Sequence, residues 1–242
     1  MSKEMYNELA KYTNLLYSNK NYEIEVEFIK NIIRKNNPKA KTILEVACGA
    51  GNHSRFLQKA GFRTVGVDLN EGMIKIAKRN LPKTEFYVQD MKELNLPMKF
   101  DVILCLFNSI NYAFGYEELR NILKGFSKHL NNRGIIILDS FFLKENWKHE
   151  RFDSKAFSFP NLDVARVNKI TIKRDFVIVD QTYIVYENGK KKVINNINKM
   201  YLFERNKLLG VINSAGFNTK LYYDFFDRKR KGWDNIYVAR KK

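Results

Sequence analysis

The chain has 242 residues, of which 45% are hydrophobic and 29% charged, enough to bury a full core in one domain with an insertion. No apolar run approaches the roughly 20 residues that span a bilayer, and Met1-Ser2-Lys3-Glu4 lacks a signal-peptide core, so no membrane association and a cytoplasmic location are expected. Two cysteines, Cys48 and Cys105, make neither a disulfide framework nor a four-ligand metal site; both are expected to be reduced, and no metal is expected.

Residues 1–36 read as helical, with Val26, Ile29, Ile32 and Ile33 on one face and Tyr12, Tyr17 and Tyr22 along the approach. Thr42-Ile43-Leu44-Glu45-Val46-Ala47 is a short apolar run of the kind that forms a buried parallel strand. Gly49 and Gly51 then allow a sharp turn and remove the Cβ atoms that would hold a ligand off the backbone. Asn52 and His53 lead into a short helix closed by Gly61, and the next strand, Arg63 to Val67, ends in Asp68. The following apolar run ends in Asp90. From Thr42 to Asp139 strand and helix alternate five times, the pattern of a parallel sheet covered on both faces, whose ligands bind beyond the carboxyl ends of the strands.

After Asp139 the pattern changes. Alternating β-type runs fill residues 161–203, with a hairpin signal at Glu187-Asn188-Gly189-Lys190. Helix-like residues 204–215 end at Gly216, and strands near 217–226 and 233–239 return to the core. The predicted divisions are a helical cap over 1–40, an α/β core over 41–140, an antiparallel β insertion over 141–203, serving as substrate lid or dimer surface, and a closing helix and hairpin over 204–242.

Glycines at a strand-to-helix turn, followed by an acid after each of the next two strands, describe a pocket for a nucleoside cofactor, with Asp68 spaced to accept from both ribose hydroxyls. The dinucleotide fingerprint wants a third glycine where Ser54 stands and an apolar residue where Glu45 stands, which argues against a nicotinamide enzyme. Glu45-Val46-Ala47-Cys48-Gly49-Ala50-Gly51 resembles motif I of the class I S-adenosylmethionine-dependent methyltransferases. Phe100 to Tyr112 and Gly134 to Asp139 resemble strands four and five of that family. Within it, Leu16 to Tyr22, Asn108 to Tyr112, Phe141 to Trp147 and Leu202 to Arg205 resemble small-molecule N-methyltransferases, in particular the nucleotide-sugar N,N-dimethyltransferases.

The resemblance implies a doubly wound, mostly parallel seven-stranded sheet, Rossmann-like, with an antiparallel β insertion after strand five. It implies S-adenosyl-L-methionine as cofactor and methyl transfer to a nitrogen or oxygen of a small molecule by in-line displacement. Asp68 would take the ribose and Asp90 the adenine amino group, with Leu69, Met73 and Met91 about the adenosine. Glu45 would position the loop and the methionine end, Tyr17 or Tyr22 would cap that end, and Ala47, Asn52 and Leu106 would complete the cofactor site. On the acceptor side the candidate catalytic residues are Tyr112, where the related sugar enzymes carry a histidine, and His149, a candidate base. His129 is expected to be structural.

The formal net charge is +17, and most of the excess lies in residues 141–242. A basic lid suits an anionic small-molecule acceptor. The alternative is an RNA or protein methyltransferase that tracks phosphates with Arg228-Lys229-Arg230-Lys231 and Lys190-Lys191-Lys192, stacking bases on Phe225, Phe226 and Trp233. Base amino-methyltransferases carry Pro-Pro after strand four, however, and Asn108 is followed by Ser109-Ile110-Asn111. An exposed edge in the β insertion would allow a homodimer.

Overall fold

The computed structural model describes residues 3–223 and 235–242. The chain opens with two helices, α1 (Lys3–Leu16) and α2 (Tyr22–Asn36), separated by a turn where one helical stretch was expected. The break has a local cause. Asn21 caps α2 through its side chain, which accepts from Ile24 N, and Glu23 and Glu25 sit in the first turn where the helix dipole favours acids.

The core follows as β1 (Thr42–Val46), α3 (Asn52–Lys59), β2 (Arg63–Asp68), α4 (Glu71–Asn80), β3 (Glu85–Val88), β4 (Phe100–Cys105), α5 (Tyr116–Lys128) and β5 (Leu130–Asp139). The expected five-fold alternation with helices is incomplete, because β3 and β4 are joined only by a 3-10 turn at Met91–Glu93. The insertion is a meander of β6 (Arg151–Phe159), β7 (Leu162–Lys173), β8 (Phe176–Glu187) and β9 (Lys190–Tyr201). It begins ten residues earlier than the apolar alternation suggests, since the first half of β6, Arg151 to Lys155, holds a single apolar residue and the strand is mostly exposed. The expected hairpin forms at Asn188 and Gly189, both at positive φ as a primed turn requires. Helix α6 (Arg205–Ser214) and strands β10 (Phe217–Tyr223) and β11 (Asn235–Lys241) close the chain. The basic run 228–231 and its neighbours Phe225, Phe226 and Trp233 lie outside the described residues.

The main sheet has seven strands in the order β10-β11-β5-β4-β1-β2-β3, with β11 antiparallel to both neighbours and the others parallel. Adjacent residues of the central strands serve opposite faces. Leu44, Ile103 and Ile136 pack under α5 and α6, whereas Ile43, Val102 and Ile135 pack under α2 and α3. This is why the strands read as continuous apolar runs. The expected fold, a mostly parallel sheet with an antiparallel insertion after strand five, is what forms.

The meander does not stand apart. Leu9, Tyr12 and Leu16 of α1 pack on Leu162, Val164, Tyr183 and Val185. Tyr12 also donates to Glu187, which pairs with Lys11. Phe142 and Trp147, after β5, pack on Val177, Val179 and Met200. Two apolar anchors therefore hold the meander over the carboxyl edge of the main sheet. Among the described residues no helix is long and apolar enough to cross a membrane.

Candidate active site

Between the strand ends and the meander lies a cleft of about 1000 Å³. The β1–α3 loop forms its floor. Ala47, Gly49 and Gly51 all take positive φ there, and an added Cβ on Gly49 would meet no protein atom within 4 Å, so this glycine presents bare backbone to the cavity. Gly66 is the converse: a Cβ there would fall 2.5 Å from Phe86 and 2.8 Å from the Cys48 sulfur, so its lack of a side chain lets the loop lie close on β2.

Asp68, at the end of β2, holds that loop. One carboxylate oxygen accepts from Gly49 N and the other from Asn70 N, both at 2.8 Å. Each oxygen keeps a lone pair for a ligand hydroxyl. Burial raises the Asp68 pKa above the ordinary carboxylate value, against the pull of the two backbone donors. Asp90 caps the 3-10 turn through one oxygen, which accepts from Lys92 N, and also lines the cleft. Leu69, Met73 and Met91 line the same region, and Leu69 is 61% exposed, an apolar surface available to a ligand. Spare lone pairs on Asp68, an open glycine and flanking apolar side chains together fit a nucleoside.

A smaller cavity of about 150 Å³ adjoins, sharing Tyr17, Ala47, Gly49 and Phe107 with the cleft and adding Tyr22, Glu45, Asn52 and Leu106. Asn52 donates to Asn14 and to the Tyr22 hydroxyl, and burial pushes the Tyr22 phenol up to about 12. Glu45 is buried and accepts from Ser54 Oγ at 2.5 Å, so the residue that breaks the dinucleotide fingerprint is the partner of the strand acid.

His53 lies between Glu45 (Nδ1, 3.3 Å) and Glu25 (Nε2, 2.9 Å), and Glu25 also accepts from Lys20 at 2.6 Å. Both imidazole nitrogens face carboxylates, and only the protonated ring donates at both. Burial lowers the His53 pKa, but the two carboxylates prevail and hold it above its ordinary value. Lys20, seated 3.2 Å from the centroid of the Phe107 ring, is lowered to about 8 by burial against the pull of Glu25. Sequence reasoning missed this chain, although one signal was present: the buried stripe of α2 is Glu25, Ile29, Ile32 and Asn36, with an acid where an apolar residue belongs.

The wall after β4 has a comparable polar frame. Phe107 and Asn108 both adopt left-handed backbone, which turns their N–H groups onto the Asp139 carboxylate at 2.9 and 2.6 Å. Burial still raises Asp139 to about 7. Asn108 accepts from Phe141 N at 2.5 Å, and Asn111 donates to the Phe142 and Tyr201 carbonyls, which ties β4, the segment after β5 and β9 together. Tyr112 follows at the cleft wall, 39% exposed. His149 is placed otherwise. It is exposed and is not among the cleft-lining residues, because the chain leaves Trp147 anchored in the meander core and turns outward before β6. His129 is structural as expected, bonding the Gly125 carbonyl and accepting from Leu96 N.

The meander contributes a polar strip to the cleft. Asn196 and Asn198 donate to Gln181, Gln181 donates to Asn168, and Asn168 donates to Asp153 at 2.6 Å. These residues interrupt the apolar parity of β7, β8 and β9 at registered positions, a signal that the sequence carried and that the strand assignment alone did not use.

Comparison with known proteins bears on the fold that carries this site. Residues 43–134 match the family model described as a methyltransferase domain. The chain carries a methyltransferase domain over those residues and has the fold of the class I S-adenosylmethionine-dependent methyltransferases. More particularly, it resembles the dTDP-sugar N,N-dimethyltransferases. It is 25% identical, over 83% of its length and 85% of the relative's, to the dTDP-3-amino-3,4,6-trideoxy-alpha-D-glucopyranose N,N-dimethyltransferase of Streptomyces venezuelae. It is also 25% identical, over 88% and 85%, to the dTDP-3-amino-3,6-dideoxy-alpha-D-glucopyranose N,N-dimethyltransferase of Streptomyces fradiae. Among solved structures, Streptomyces venezuelae DesVI superposes with a TM-score of 0.85 at 23% identity, covering 96% of this chain and 97% of that one. The sugar N-methyltransferase KedS8 from Streptoalloteichus gives 0.85 at 22% identity over 93% and 90%.

Proposed function

We propose that this enzyme methylates the amino group of an anionic, nucleotide-linked sugar. The observation that carries the reading is the meander: the sugar-enzyme relatives align over more than four fifths of the chain, and the insertion faces the same cleft as the glycine loop. The basic run that motivated an RNA substrate falls outside the described residues, and the cleft wall after β4 is shaped by Asn108 and Asn111.

S-adenosylmethionine supplies a methyl group on a sulfonium, so the protein has to align an acceptor lone pair with it and exclude water. In this reading Asp68 accepts from the ribose hydroxyls and Asp90 from the adenine amino group, between Leu69, Met73 and Met91. Glu45, Ala47, Gly49, Gly51, Asn52 and Leu106 shape the methionine end, with Tyr17 and Tyr22 above it. Tyr112 lines the acceptor side. His149 is set aside as a base because of its place outside the cleft. Residues 1–40 act as a cap, 41–140 and 204–242 as the catalytic core, and 141–203 as the acceptor lid.

The first test is calorimetric titration with S-adenosylhomocysteine, followed by methyl transfer to a dTDP-linked amino sugar. Asp68→Ala is expected to weaken S-adenosylhomocysteine by about 1 kcal/mol or more, the order of a hydrogen bond to a charged group; wild-type affinity in that variant removes the ribose assignment.

A homodimer through the outward face of the meander belongs to the same reading. Phe152, Val167, Tyr186, Val193 and Ile197 are each 40% or more exposed there. Three 12-residue strands and one of 9 residues would present roughly 700 Å², close to the roughly 800 Å² per partner of a standard interface. Light scattering should give twice the chain mass, and Ile197→Lys should return it to one; a wild-type monomer at micromolar concentration rejects this interface.

A further inference from the structure

Two bases stand directly opposite one another on the cleft side of the meander. Lys155 of β6 is paired in register with Arg166 of β7. Both reach the same tyrosine: Lys155 Nζ lies 4.7 Å and Arg166 Cζ 5.6 Å from the centroid of the Tyr17 ring. Arg166 lines the cleft at only 5% exposure, its guanidinium engages the Tyr17 and Tyr183 hydroxyls, and its Nε has no hydrogen-bond partner.

Like charges placed directly across an antiparallel pair repel, and a buried guanidinium with an unsatisfied donor carries a further cost. No carboxylate offsets either charge among the described residues. The nearest acid along the strand face, Asp153, is registered with Asn168 and accepts from it. Such an arrangement is stabilised by an anion that enters from the cleft, and a planar guanidinium beside a mobile ammonium suits phosphate oxygens.

The geometry points to Arg166, Lys155 and Tyr17 as a binding site for the diphosphate of the acceptor. Two positive charges match the two negative charges of a nucleotide-linked diphosphate, and Tyr17, at the junction of the two cavities, orders the site beside the methionine end of the cofactor. This inference rests on the proposed anionic acceptor. It adds which residues hold the anion and makes β6, a mostly exposed strand, a recognition element.

The test uses inorganic pyrophosphate as the probe, titrated calorimetrically into the intact protein in the presence of saturating S-adenosylhomocysteine. Wild type should bind it with an affinity that falls as salt is raised. Lys155→Gln and Arg166→Gln should each weaken it tenfold or more, while Lys190→Gln, at the hairpin tip, leaves it unchanged. Lys155 is exposed, so its variant carries the test even if Arg166→Gln fails to fold. S-adenosylhomocysteine affinity should stay within twofold in Lys155→Gln. An equal loss of both ligands would give the pair to the cofactor carboxylate and overturn the inference. So would pyrophosphate binding that neither variant changes, or none in a wild type that binds S-adenosylhomocysteine; that last result leaves the methyltransferase assignment intact, whereas failure to bind S-adenosylhomocysteine strikes at the proposed function itself.

Discussion

Glu25→Ala is expected to destabilise the protein by about 3 kcal/mol, at the low end of what removing one partner of a buried ion pair costs. Glu25 is 6% exposed and accepts from Lys20 and His53 with the same carboxylate oxygen. Without it, two groups that favour positive charge remain in a pocket closed by Phe107 and Tyr22. The cost stays below the top of the range because Lys20, already lowered to about 8, can shed its proton. Urea unfolding at pH 7 measures the effect: with a slope of about 2 kcal/mol/M the midpoint should fall by roughly 1.5 M. Glu23→Ala, one exposed turn position away, should move it by less than about a quarter of that. A Glu25→Ala midpoint within 0.3 M of wild type, about 0.6 kcal/mol at the same slope, would mean that Lys20 and His53 do not depend on this carboxylate.

The effect should reach the cofactor site. Glu25 grips His53, His53 faces Glu45, and Glu45 takes the Ser54 hydroxyl at the start of the helix that follows the glycine loop. Loosening the first link frees the last, so S-adenosylhomocysteine affinity is expected to fall alongside stability in Glu25→Ala and to be largely retained in Glu25→Gln, which keeps an acceptor oxygen facing His53.

This chain of groups shows what a linear reading reaches. Gly49 and Asp68 lie 19 residues apart and bond one another; strand order alone placed both at one edge, because the ends of parallel strands share it, although it did not show the bond. The same topology placed Asp90 and Tyr112 at the cleft. Glu25 and His53 meet across 28 residues and two elements whose packing angle no periodicity encodes. Strand β6 was missed because its sequence, RFDSKAFSF, has charged or polar residues on the face that looks into a solvated cleft. His149 was offered as a base because it lies in the segment entering the insertion, and the structure leaves it exposed and outside the cleft lining. Functional polar surfaces break the apolar code that makes elements readable, so Arg166, Asn168 and Gln181 were hardest to see where they matter most.

Stability is expected to decline as pH rises from about 4 to beyond neutrality, the reverse of ordinary carboxylate behaviour. Asp139 sits at 3.8 unfolded and about 7 folded. Between those values the folded state holds a proton that the unfolded chain has lost, so raising the pH removes stability. Asp68, also raised by burial, acts in the same direction. His53 extends the decline: its contribution is complete below 6.5 and is lost as pH rises through its higher folded value. The charged groups that face it are Glu25 from α2, Glu45 from β1 and Lys20 from the turn before α2. Lys20 opposes them at the alkaline end, because from about 8 to 10.5 the unfolded chain binds the extra proton and stability recovers. Urea midpoints at pH 5, 6.5 and 8 separate the contributions. His53→Gln should keep the decline from pH 5 to 6.5, which belongs to the buried aspartates, and should show a smaller decline than wild type from 6.5 to 8, where only the Asp139 share, centred at about 7, remains. If both proteins lose the same stability over that upper interval, His53 is not an imidazolium held between two carboxylates, and the Glu25–His53–Glu45 connection transmits packing alone.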